Sequence, residues 1–118
     1  MTATELIRSF VDIVSKNRNL LIGIGPDEHV RFPAEQLTPL RGLGQWLRVN
    51  GEAVYGSRPW WFADATTTEG GGVRFTQRDG VVFAALLEVT AREFGIRGLD
   101  ATAATEVRLL GLDEPLTW

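Results

Sequence analysis

Residues 19–24 read NLLIGI, a short apolar run closed by Gly25 and Pro26. The run is too short for a typical helix. Apolar side chains at nearly every position predict a strand buried on both faces, as in a parallel sheet with helical cover. Such a strand cannot stand alone, because its two edges expose unpaired backbone groups. Some other segment, of this chain or of another copy of it, has to lie alongside.

The flanks read as helices. Over 4–16, Leu6, Ile7, Phe10, Ile13 and Val14 recur at helical spacing, Lys16 sits in the last turn, and Thr2 and Glu5 have the spacing of a capping box. After the loop DEHVRF, Pro33 opens a second helix of about 34–49. Its apolar stripe is Leu37, Leu40, Leu43, Trp46 and Leu47. Pro39 falls inside that pattern, so the helix either kinks there or starts at Thr38 with Pro39 as its first residue. Asn50-Gly51 stops it.

Beyond Trp61 the chain turns β-like. Residues 63–72, rich in Thr and Gly, read as a linker. VRFTQRDGVVFAALLEV then carries two strand-like halves around Asp79-Gly80, a strong hairpin signal. FGIRGL and EVRLLGL suggest two more short strands. The fold class is therefore α+β: a helix–strand–helix unit over 1–62, the linker, and a small antiparallel sheet over 73–118.

Composition narrows the function classes. The 118 residues are the size of one domain, and 44% hydrophobic with 23% charged residues is the make-up of a folded globular chain. Twelve basic against fifteen acidic residues give a net charge of −3 with no basic stripe, which argues against nucleic-acid and membrane partners. There is no cysteine, and a single histidine, His29, so neither a disulfide frame nor an all-protein metal site is expected. No cofactor motif stands out. Gly70–Gly72 lack the lysine and the strand–loop–helix setting of a phosphate loop. MTATELIRSF has no signal-peptide pattern and no stretch is a membrane span, so a cytoplasmic location is expected.

Three collinear motifs carry a resemblance: LIRSFVDIVSKNRNLLIGIGP, then LRGLGQWLRVNGEAVYGSRPW, then VRFTQRDGVVFA. Over residues 5 to 87 they resemble the α-L-fucosidases of glycoside hydrolase family 29, in the portion where the catalytic barrel ends and a C-terminal β-sandwich begins. The chain departs from the family's usual pattern at Arg18, where glycine is common, at Gly23, where asparagine is common, and in the loop DEHVRF. The resemblance implies hydrolysis of α-L-fucosides with retention, by an aspartate nucleophile and a separate acid/base carboxylate. The family's nucleophile motif and sugar-gripping histidines lie upstream of the matching portion, so none of its catalytic residues transfers to this sequence. A whole (β/α)8 barrel takes about 250 residues, and only its last unit is represented here.

Barrel active sites lie at the C-terminal ends of the strands, and Asp27, Glu28 and His29 follow NLLIGIGP at that end. Retaining glycosidases hold two carboxyl groups about 5–5.5 Å apart. Asp27 is the candidate nucleophile, Glu28 or a carboxylate from another copy the candidate proton donor, and His29 and Arg31 candidate sugar ligands. The competing reading is a solvated acidic loop after a Gly-Pro turn. Trp60 and Trp61 are candidates for a sugar-ring platform with Arg58 beside them, or for packing between barrel unit and sheet. Tyr55 is expected to be packed with its hydroxyl bonded to backbone, Glu52 to pair with Arg58, and Asp79 to serve the turn. Three functions stay open: an α-L-fucosidase that builds its pocket as a homo-oligomer, a non-catalytic sugar-binding module, and the structural end of a split enzyme.

Overall fold

A computed structural model describes residues 1–118. Helix α1 spans Ala3–Ser15 and helix α2 spans Ala34–Asn50. A 3-10 turn at Gly51–Ala53 leads into three strands, β1 (Arg58–Thr66), β2 (Gly72–Arg78) and β3 (Val81–Leu86). The sheet is antiparallel in the order β1-β2-β3. This is the α+β arrangement the sequence implies. No helix is long and apolar enough to cross a membrane.

Local chemistry starts each element. Thr2 Oγ1 accepts from Glu5 N at 3.1 Å while Glu5 Oε2 accepts from Thr2 N at 2.9 Å, closing the capping box on α1. Helix α2 begins at Ala34 and carries Pro39 inside it, so the start at Thr38 is not used. Asp79 and Gly80 both take positive φ, 52° and 79°, and join Arg78 to Val81 as a two-residue hairpin turn. That is the geometry Asp-Gly favours.

Packing centres on β2. Val73 and Phe75 are fully buried, and Leu6, Val11 and Leu43 complete the core from the helices. The rings of Trp60 and Phe62 pack on Phe75 at 5.0 and 5.4 Å between centroids. The helices cross closely at Gly42, where an added Cβ would stand 2.5 Å from Ala3 Cβ.

Polar contacts fix the helices on the sheet. Arg8 Nε donates to the Leu87 carbonyl at 2.9 Å, and Thr76 Oγ1 donates to the Ala53 carbonyl at 2.7 Å. Asp12 on α1 accepts from Lys16 Nζ at 2.8 Å and from Arg74 Nε on β2 at 2.5 Å, and Lys16 stands 3.9 Å from Asp64 on β1. These bonds, first from Lys16 and then from Arg74, hold the Asp12 carboxyl below its ordinary range. A carboxyl whose pKa falls on folding adds stability above its unfolded pKa and loses it as the pH drops through the folded one. Asp12→Asn should therefore flatten the acid limb of a plot of melting temperature against pH. An unchanged acid limb would refute the link.

Three expectations need correction. NLLIGI forms no strand. None of residues 19–24 makes a hydrogen bond within the chain, because no other strand of this chain comes alongside. Their exposure still alternates, with Leu20, Ile22 and Ile24 half-buried and Asn19, Leu21 and Gly23 open. The expected linker at 63–72 begins inside β1, since Ala65 pairs with Val73 and Thr66 with Gly72. β-branched threonine suits a pleated strand better than a linker, and the connection shrinks to 67–71. FGIRGL and EVRLLGL are not strands either. The first makes only one β-bridge, Ile96 with Thr67, flanked by hydrogen bonds of Gly95 and Arg97 to Thr68 and Thr66, and the second finds no strand to pair with.

Candidate functional site

The acidic loop folds around Asp27. Its Oδ1 accepts from the backbone N–H of His29 at 2.8 Å and of Arg31 at 2.9 Å, and its own N–H donates to the Arg31 carbonyl at 2.6 Å. Aspartate commonly closes turns this way. The turn places Val30 in the left-handed region, φ 59°, a costly conformation for a β-branched residue. Glu28 is exposed, with His29 Nε2 at 3.6 Å from its Oε1, too far for a hydrogen bond. One oxygen of Asp27 is thus occupied by the turn. Oδ2 makes no hydrogen bond within the chain.

The aromatic stretch separates its two tryptophans. In the β1–β2 register Pro59 pairs with Thr76 and Asp64 with Arg74, so residues 60–63 stand opposite Phe75 alone. A bulge of this kind re-aims side chains. Trp60 and Phe62 turn inward onto Phe75, whereas Trp61 is 91% exposed. Packing claims Trp60; Trp61 is the open ring. No hydrogen bond or ion pair joins the 27–31 loop to Arg58 or to β1.

Arg58 lines a polar groove that the sequence did not reveal. Its other walls are Asn17, just past the end of α1, Gly56 and Ser57 before β1, Pro59, and Gln77 of β2. The register of β1 on β2, which pairs Arg58 with Gln77, and the end of α1 at Ser15 bring these positions together. Two smaller expectations fall. Glu52 and Arg58 are exposed and form no ion pair with each other. Tyr55 is 60% exposed, its ring lying against Gly51 and its hydroxyl making no hydrogen bond.

The comparisons agree on one family. The sequence model of the family described as Alpha-L-fucosidase matches residues 1–52. Rat plasma alpha-L-fucosidase is 34% identical over 120 residues, covering 100% of this chain and 26% of the rat protein. The chain belongs to the α-L-fucosidase family. Human tissue alpha-L-fucosidase is 31% identical over 121 residues, covering 98% of this chain and 24% of the human protein. Among solved structures, Thermotoga maritima alpha-fucosidase in complex with fucose has a TM-score of 0.89 at 35% identity, over 99% of this chain and 28% of that one. The chain thus spans about a quarter of the length of these α-L-fucosidases.

Proposed function

We propose that this chain hydrolyses terminal α-L-fucosides with retention, acting as a homo-oligomer. The observation that carries the reading is the match of the whole chain, in sequence and in backbone, to proteins named as α-L-fucosidases. In this reading residues 1–62 serve as the closing unit of a barrel and 73–118 as the start of a sandwich.

Assembly is supported by what the chain leaves open. Residues 19–24 keep every backbone hydrogen-bonding group unpaired, and Leu21 is 95% exposed. Of the apolar stripe on α2 only Leu43 is buried, and Phe10, Ile13, Leu40 and Leu47 are half-open. Neighbours on both sides of 19–24 would satisfy its groups and cover these side chains.

The chemistry then needs two carboxyl groups. Asp27 attacks the anomeric carbon through Oδ2, and the bond to the leaving oxygen breaks as Glu28, or a carboxylate of a second copy, gives that oxygen its proton. The same carboxylate takes a proton from water, whose oxygen displaces Asp27 and restores the starting configuration. His29, Arg31 and Trp61 hold the sugar.

The test is light scattering of homogeneous protein at micromolar concentration, together with release of chromophore from an aryl α-L-fucoside. A closed assembly that releases chromophore is expected, its interface mainly from residues 4–49. A stable monomer would overturn the oligomeric part. An assembly that binds fucose and releases nothing would replace hydrolysis with sugar binding alone.

A further inference from the structure

We propose that the groove of Asn17, Ser57, Arg58 and Gln77 binds the hydroxyl groups of a neutral saccharide, at a site separate from the 27–31 loop. It is an open groove whose wall is mostly polar, with Pro59 contributing an apolar face. The predominance of polar groups disfavours an apolar protein surface as occupant, since the buried core of a protein interface is more apolar than its rim.

Its hydrogen-bonding groups are partly committed and partly free. Ser57 Oγ donates to the Val54 carbonyl at 2.8 Å, leaving its lone pairs open. Gln77 Nε2 donates to the Pro59 carbonyl at 2.9 Å, leaving Oε1 open as an acceptor. Neither the Asn17 amide nor the Arg58 guanidinium makes a hydrogen bond or ion pair within the chain. The groove therefore presents donors from Arg58 and Asn17, and acceptors from Asn17, Ser57 and Gln77.

That mixture selects hydroxyls over anions. Each sugar hydroxyl both donates and accepts, so it can use both sets of groups. A sulfate or phosphate can only accept, and would leave the Ser57 and Gln77 oxygens facing negative charge. Asn17 also follows the C-terminal end of α1 (Ala3–Ser15), where the helix dipole disfavours an anion. Arg58 supplies the strongest contact, a charge-assisted fork that spans two neighbouring hydroxyls.

The inference rests on the fucosidase reading only for its choice of probe. The experiment is a two-dimensional NMR titration of the full chain with L-fucose, and in parallel with sodium sulfate at matched ionic strength. L-fucose should shift the side-chain amides of Asn17 and Gln77 and the backbone amide of Ser57 saturably, and sulfate should not. Arg58→Ala, an exposed residue with no partner in the fold, should weaken the fucose response by about tenfold or more, the loss of its charge-assisted fork. A saturable sulfate response at the same amides, no fucose response there, or unchanged affinity in Arg58→Ala would each overturn the proposal. Chromophore release with a silent groove overturns this inference alone. A responding groove without release overturns the hydrolytic reading alone.

Discussion

Phe75→Ala is expected to bring the chain to the edge of unfolding at room temperature, with a steep fall in melting temperature. Only 10 of 118 residues are buried, and five of those are the hydrophobic core, so little else can absorb a loss there. Phe75 is fully buried and packs against both Trp60 and Phe62, which also touch each other. Truncating a core phenylalanine costs about 3–5 kcal/mol, against a typical domain stability of about 5–15 kcal/mol. A chain with so small a core belongs near the lower end of that range. Trp61→Ala is the matched control, since a ring 91% exposed should change stability by about 0.5 kcal/mol or less. Circular dichroism melts of both variants decide the matter. Near-wild-type melting of Phe75→Ala would show that the three aromatic rings are not the centre of the fold.

How much of this was legible depended on range along the chain. Signals confined to a few residues came through: the Thr2–Glu5 box and the Asp79-Gly80 turn, whereas Gly51 follows α2 in the right-handed conformation and runs on into a 3-10 turn without capping it. The box and the hairpin turn each need only their own neighbours. The strand expected at 19–24 failed because a strand is a relation between segments, and apolar composition says nothing about who the partner is. The same limit undid FGIRGL and EVRLLGL. On α1, periodicity marked the right face, yet Val11 is buried while Ile7, Phe10, Ile13 and Val14 stay half-open. How far each side chain is covered depends on the sheet and on α2, which periodicity does not see.

The candidate site divides the same way. The loop at 27–31 is local, and a reading of DEHVRF names its residues without a fold. Trp60 and Trp61 are adjacent and look equivalent in sequence. Only the bulge opposite Phe75 assigns one to packing and the other to solvent. The groove around Arg58 joins residues 17, 57, 58 and 77, and no short motif could have united them. A helix end and a strand pairing made that site.

Asp27→Asn is expected to cut fucoside hydrolysis by orders of magnitude while leaving the fold as it is. Asparagine can keep the Oδ1 acceptor that takes the N–H groups of His29 and Arg31, and it suits the same turn. What it loses is the charge on Oδ2, the oxygen proposed to attack the anomeric carbon. Asp27→Ala removes both, so it should lose the turn as well as the chemistry, at about 0.5–1.5 kcal/mol for each net hydrogen bond. The pair of variants therefore separates the carboxylate as nucleophile from the carboxylate as turn residue. Glu28→Gln should slow turnover about 10²–10⁴-fold if Glu28 is the proton donor. Its stability should hold, because Glu28 is exposed and His29 Nε2, 3.6 Å from its carboxylate, is too far for a hydrogen bond. Rates on an aryl fucoside, read beside melting temperatures, check all three. If Asp27→Asn and Glu28→Gln both turn over at near the wild-type rate, the loop is a turn and no more. The reacting carboxyl groups must then be sought elsewhere, beginning with the exposed Glu52.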